Sequence, residues 1–258
     1  MFLLYDIGLF LAMPVLLLVF FVRGLRKGIV RRGLRERLGF YNPARLAVLE
    51  GRRVIWVHAV SVGETRAAMP LLKSLRREYA DAALVLTTVT ETGQATAQKI
   101  SEVDLCLYFP FDFSWIMQRS LSQLRPAMIL IVETEIWPNL ARLAHQRRIP
   151  VALVNGRLSD RSFPRYLMVR WVVRVVMDQF SAFCMQTAQD AQRVGLIGAP
   201  REKVVVTGNL KFDMQIDPVG TVERRRFQEE FRIPDGVPLW VCGSTHEGEE
   251  EALLRIFA

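Results

Sequence analysis

Cysteine is scarce in this chain: Cys106, Cys184 and Cys242 are the three present among 258 residues, and no two of them form a CxxC pair. That spacing excludes a disulfide framework and points to reduced thiols in a cytosolic setting, with core packing as their default role. Histidine is equally scarce, and none stands at ligand spacing from a cysteine, so neither a structural zinc site nor any other metal centre is expected. Neither GxGxxG nor a Walker lysine motif occurs, which removes the usual support for dinucleotide or P-loop chemistry. Internal repeats, low-complexity tracts and aromatic RNA-binding motifs are also missing, and with them most of the case for nucleic acid as a partner. Acidic residues number 26 against 34 lysines and arginines. The resulting charge of +8 calls for an anionic partner, either nucleic acid, a membrane surface or a phosphorylated substrate.

What the chain does have is apolar residues, 51% of the total, which is ample for a packed core and excludes a disordered chain. The longest apolar stretch, Phe2 to Val22, carries Asp6 as its one charge. About twenty helical residues rising roughly 1.5 Å each reach across the roughly 30 Å hydrocarbon core, so this stretch is expected to be a transmembrane helix. Arg23, Arg26, Lys27, Arg31, Arg32, Arg35 and Arg37 follow it against the single acid Glu36, which by the positive-inside rule holds the remainder in the cytoplasm. A cleaved signal peptide fits less well, because its basic residues would precede the apolar run. A buried core helix and an interfacial helix are the other readings, and Asp6, Gly8 and Pro14 are the residues that favour them.

From Val54 to Thr207 short apolar runs alternate with helical patterns. Val54–Val57, Ala83–Leu86, Leu105–Leu107, Met128–Val132, Val151–Val154, Ala182–Met185 and Val204–Val206 read as strands, with helices starting near Glu64, Gly93, Phe113, Trp137, Phe163 and Ala188. Near-continuous apolar strands separated by helices specify an α/β fold with a parallel sheet covered on both faces, a Rossmann-like domain. Pro70 should kink the helix after Glu64 or mark a short first turn. The expected organisation is a membrane anchor over 1–22, a basic juxtamembrane linker over 23–50, the Rossmann-like domain over 51–208 and a connector over 209–236. Residues 237–258, with Leu239–Cys242 as a strand, then begin a second α/β unit that is expected to be incomplete.

Two stretches carry the chemistry: VHAVSVGE, Val57 to Glu64, and ETEIWPN, Glu133 to Asn139. Each leaves an apolar strand through a turn, which places Glu64 and Glu133 where open α/β sheets hold their ligands. Glu64, after Ser61 and Gly63, can serve as a general base toward a substrate hydroxyl or merely complement a helix dipole. Glu133 and Glu135 would share one face of an extended strand and diverge in a turn. Thr87–Gly93, with Thr90 and Thr92, suits hydrogen bonding to a sugar or phosphate, or is a simple capped loop. Lys211 in NLKFD and Ser244, Thr245 and His246 in GSTHEGEE could together cradle a phosphate, although each alone is commonplace. His58, inside an apolar strand, reads as a core histidine or one that supports the site from behind.

VHAVSVGE, ETEIWPN, VNGRLSD (Val154 to Asp160), GNLKFD (Gly208 to Asp213) and GSTHEGEE occur in that order behind the apolar segment, and together they resemble the 3-deoxy-D-manno-octulosonic acid (Kdo) transferases of lipopolysaccharide assembly. The resemblance covers essentially the whole chain. It implies a GT-B fold, in which two Rossmann-like domains face a cleft, acceptor bound by the first and donor by the second. It also implies inverting transfer of Kdo from CMP-Kdo to a lipid A precursor, lipid IVA, with no metal or other cofactor, on the cytoplasmic side of the bacterial inner membrane. Glu64 matches the family's general base and Glu133 its second required carboxylate. Ser61, Gly63, Thr90, Thr92, Glu135, Lys211, Ser244, Thr245, His246 and Glu249 are the expected substrate-binding residues, the last five on the CMP-Kdo side. Family members continue through an arginine-bearing nucleotide pocket and a GGxxGHNxLEP segment that this sequence does not contain. The alternatives are another membrane-associated GT-B transferase, or an inactive membrane-tethered remnant.

Overall fold

The computed structural model describes residues 1–13, 33–213 and 220–257. Residues 2–13 are helical (α1), followed by α2 (Leu34–Arg37) and α3 (Pro43–Leu46). The alternating core then runs β1 (Val54–His58), α4 (Val62–Ala67), α5 (Met69–Glu78), β2 (Ala83–Thr88), α6 (Glu91–Ala97), β3 (Leu105–Tyr108), α7 (Ser114–Leu124) and β4 (Pro126–Val132). It continues through α8 (Pro138–Gln146), β5 (Val151–Gly156), α9 (Phe163–Met168), α10 (Arg170–Met177), β6 (Ala182–Met185), α11 (Ala188–Ile197) and β7 (Val204–Val206). Every expected strand of this region forms, each within two residues of its expected bounds. Pro70 sits in the first turn of α5, and the helix breaks at Ala68 as its missing N–H requires.

The seven strands pair in parallel in the order β3-β2-β1-β4-β5-β6-β7. Alternate residues of each strand feed opposite layers. Val54 and Trp56 of β1 join α7, α8, α10 and α11 in one core, while Ile55 and Val57 join α5 and α6 in the other. With both faces covered, β1 and β2 are buried along their whole length. The strand order reverses at β1, which lies between β2 and β4. The segments leaving β1 and β4 therefore part to opposite faces and open a crevice at the carboxyl ends of these two strands.

The chain divides into two compact units, Met1–Met214 and Gln215–Ala258. The second contains α12 (Thr221–Glu230) and α13 (Glu249–Phe257), with Trp240 against Phe257 at 6.1 Å between ring centroids. The strand expected at Leu239–Cys242 is not formed. An apolar run becomes a strand only where a neighbour accepts its ladder hydrogen bonds, and here Leu239 and Val241 stay exposed.

The expected transmembrane helix finds no support either. Among the described residues no helix is long and apolar enough to cross a membrane, while residues 14–22 of the expected span and the basic run through Arg32 lie outside the described residues. The described part of the span is docked on the domain. Tyr5 donates to Asp112 at 3.2 Å, Asn139 Nδ2 donates to Asp6 at 2.7 Å, and Ser114 bonds Asp6 through both its N–H and its hydroxyl. The described part of the juxtamembrane linker is likewise folded in: Arg37 is buried, donating to the Val89 carbonyl and stacking over Tyr108, and Arg45 pairs with Glu36.

Candidate active site

Glu64 is fixed by the turn it closes. Ser61 is the N-cap of α4, its Oγ accepting from the Glu64 N–H at 3.4 Å. The Glu64 carboxylate reaches back, accepting from the Val60 N–H at 2.6 Å and the Ser61 hydroxyl at 3.0 Å. This reciprocal arrangement is a variant of the capping box, with Glu64 at its third helical position. Glu64 is therefore a helix cap, as one of its two readings expects, with its carboxylate tied to the turn it closes. Burial raises its pKa; the hydrogen bonds from Val60 and Ser61 oppose that shift and the charge of Glu133 adds to it. Gly63 beside it leaves open space, since a Cβ there would meet nothing nearer than Ser61 Oγ at 3.8 Å.

Glu133 follows the last residue of β4 in a left-handed conformation, φ 61°, with its N–H donating to the Val154 carbonyl at 2.8 Å. A non-glycine residue held there is strained and persists because β4 fixes the chain before it and the bond from the Arg157 N–H to Thr134 Oγ1, 3.0 Å, fixes the chain after it. Glu133–Trp137 is thus a turn, yet its two carboxylates stay within electrostatic reach of each other and of Glu64. Burial pushes Glu135 up to about 7, and the charges of Glu64 and then Glu133 add to that shift. Three carboxylates from two segments distant in sequence thus influence one another beyond the ends of β1 and β4.

The surrounding residues frame this cluster. Thr90 caps α6 through the Gly93 N–H at 3.0 Å and also donates to the Val60 carbonyl at 3.4 Å, so the Thr87–Gly93 loop is stitched to the Glu64 turn. Thr92 is exposed on the first turn of α6. His58 is fully buried, stacked on Phe109 at 3.8 Å between centroids and bonded through Nδ1 to Thr87; burial holds its pKa down to about 3. It is a neutral core residue. Lys211 is exposed on the 3-10 turn Leu210–Asp213, which lies against α5, the continuation of the helix that carries Glu64. Ser244, Thr245, His246 and Glu249 belong to the second unit. There Thr245 donates to Glu250 at 2.5 Å and the His246 N–H to Glu249 at 2.9 Å, which caps α13.

Over residues 32–214 the chain matches the family described as 3-deoxy-D-manno-octulosonic-acid transferase (kdotransferase). It is 31% identical to the 3-deoxy-D-manno-octulosonic acid transferase of Haemophilus influenzae over 97% of this chain and 58% of that protein. To the transferase of the same name from Bordetella pertussis it is 32% identical, over 85% of this chain and 50% of that one. The chain belongs to the Kdo transferase family. It spans about half the length of the curated relatives it matches. Among solved structures, UDP-GlcNAc 2-epimerase from Neisseria meningitidis bound to UDP-GlcNAc is similar with a TM-score of 0.48 and 14% identity, over 71% of this chain and 55% of that one.

The part matched by the Kdo transferase family model ends at the boundary of the first unit, so the carboxylate cluster lies wholly within it. Two further residues escaped sequence reasoning. Tyr166 of α9 lies within reach of the cluster, its pKa raised by burial and further by the charge of Glu135. Asp112 is buried and accepts from the N–H groups of Asn139 and Leu140 at 3.0 and 2.9 Å, so it caps α8, the helix after Glu133–Trp137, from another segment. Among the described residues no group of three or more His, Cys, Asp or Glu side chains is arranged to hold a metal ion. A cavity of about 680 Å³ is lined by α10 and the end of α11, Trp171, Arg174 and Gly198 among its residues, and by none of the three carboxylates.

Proposed function

We propose that the complete protein transfers Kdo from CMP-Kdo to a lipid A precursor, lipid IVA, and that Glu64 is the general base. The observation that carries this reading is the convergence of Glu64, Glu133 and Glu135 at the carboxyl ends of β1 and β4. Inverting transfer needs a base that takes the proton of the attacking hydroxyl as the bond to the leaving phosphate breaks. A carboxylate raised by burial is a stronger base than a solvated one, and its hydrogen bonds to Val60 and Ser61 hold one orientation. Glu133 orients the glucosamine acceptor, and Glu135, protonated near neutrality, can donate a hydrogen bond to a sugar oxygen. Ser61, Thr90 and Thr92 supply further hydroxyls at the acceptor side, and the open space at Gly63 admits the sugar. To CMP-Kdo we assign Lys211, a cation suited to a phosphate that leaves with negative charge, and, within the second unit by itself, Ser244, Thr245, His246 and Glu249 at a helix N-terminus. The reaction so drawn needs no cofactor.

An acceptor carried in a bilayer requires the site to meet the membrane, so we assign the protein to the cytoplasmic face of the bacterial inner membrane. The apolar side of α1 exposes Leu3, Leu4, Phe10 and Leu11, and α9 and α10 expose Met168 and Trp171 beside Arg165, Arg170 and Arg174. Exposed apolar side chains among arginines suit an anionic lipid surface. In the full-length enzyme, Glu64→Gln should lower turnover of CMP-Kdo by about 10² to 10⁴, while circular dichroism and melting temperature stay near wild type, because glutamine still accepts from Val60. Near-normal turnover would refute the base assignment, and turnover of UDP-sugars instead of CMP-Kdo would refute the donor.

A further inference from the structure

The last turn of β5 carries a residue that the function above does not use. Asn155 is buried, with 1% of its surface exposed, and is left-handed at φ 55°. Its Oδ1 accepts from the Leu210 N–H at 3.0 Å, a contact between segments 55 residues apart. Its backbone carbonyl accepts from Gln186 Nε2 at 3.0 Å, Gln186 Oε1 accepts from Asn209 Nδ2 at 3.1 Å, and Asn209 Oδ1 accepts from the Lys211 N–H at 3.0 Å. Three amide side chains, one near the end of β5 and one following each of β6 and β7, thus form a chain that ends on the two N–H groups at the head of the Leu210–Asp213 turn. Because Leu210 requires an acceptor, the orientation of the Asn155 amide is settled. Its Nδ2 is left buried without a hydrogen-bond partner among the described residues. An unpaired buried donor is destabilising, so packing alone does not explain an asparagine here.

We propose that Asn155 is a positioning residue: it seats the Leu210–Asp213 turn on the carboxyl end of β5 and thereby sets where Lys211 stands on the crevice rim beside α5. The importance of that placement for transfer rests on the function proposed for Lys211. The placement itself is independent of it. Two properties of Asn155 must be separated, its backbone conformation and its amide. Glycine adopts the left-handed conformation without strain but offers no acceptor, whereas aspartate tolerates that conformation and keeps the Oδ oxygen.

The test is amide hydrogen exchange of residues 208–213 in the intact chain, with tryptic cleavage after Lys211 and the melting temperature recorded in parallel. Asn155→Gly should accelerate exchange at Leu210 and cleavage at Lys211 by about tenfold, the loss of one hydrogen bond, while Asn155→Asp should remain within about threefold of wild type. Wild-type exchange in the glycine variant, or equal loosening in the aspartate variant, would overturn the proposal. Should Asn155→Gly loosen the whole domain, Asn209→Ala decides, because it removes the acceptor of the Lys211 N–H without touching β5. Faster exchange confined to residues 209–213 supports the chain of amides, and unchanged exchange overturns it. In the full-length enzyme, Lys211→Ala separates the two layers of the inference: unaltered kinetics would remove the role given to Lys211 and leave the seating of the turn intact.

Discussion

Glu135 is the residue at which the site and the stability of the fold oppose each other. Its pKa stands at about 7 in the folded chain against an ordinary 4.5, with burial as the main cause. Below pH 4.5 folded and unfolded chains both carry the proton and nothing is lost. As the pH rises toward 7 the unfolded chain releases it and the folded chain retains it, so stability falls, and above 7 the penalty is complete. Glu135→Gln should therefore be more stable than wild type in urea unfolding at pH 8, with the gap closing toward pH 4.5. A gap that is the same at both pH values would mean that the carboxylate titrates normally. The placement of Glu64 and Glu133 was legible in the sequence because Glu133 stands directly behind an apolar run and Glu64 in the turn that leaves one, and a strand end is where a parallel sheet opens. Asp112, Asn155 and Tyr166 were not, because each acquires its role from a partner in another segment, Asn155 from Leu210 and Asp112 from Asn139 and Leu140.

Among the elements, α1 is held by polar contacts more than by apolar ones. Asp6 accepts from the Ser114 N–H at the head of α7 and from Asn139 Nδ2 in the first turn of α8, and Arg142 stacks over Phe2 at 5.1 Å. Asp6→Ala leaves these donors unpaired, a loss of about 1–3 kcal/mol, and should expose residues 2–13 to hydrogen exchange before the sheet opens. Exchange that stays as slow as wild type would mean that apolar contacts alone hold the helix. The same residue explains why the docking of this element was not legible in the sequence. A lone acid in an apolar stretch weakens a membrane span only slightly on hydropathy, and its hydrogen-bonding partners lie more than a hundred residues away. The strands of the sheet, by contrast, were readable throughout, since burial on both faces makes each one a short apolar run. Leu239–Cys242 has the same local pattern and no neighbouring strand, so the pattern alone misled.

For the whole molecule, the charge of +8 and the exposed apolar side chains of α1, α9 and α10 lead to one expectation. The chain should sediment with vesicles containing phosphatidylglycerol and much less with pure phosphatidylcholine, and added salt should release it. Reversing Arg170 and Arg174 to glutamate should weaken that association about tenfold or more, at about 1 kcal/mol per basic residue near the surface. Equal binding to both vesicle types would refute an electrostatic contribution. The order of the sheet has a separate consequence for how the molecule comes into being. β1 and β4 are neighbours in space, but β2, β3 and four helices are synthesised between them. During translation β1 presents one unpaired edge until β4 emerges from the ribosome, an interval in which it can recruit a foreign strand. The pairing of the two strands that precede the carboxylates and the protection of β1 from aggregation therefore arrive in the same step of biosynthesis.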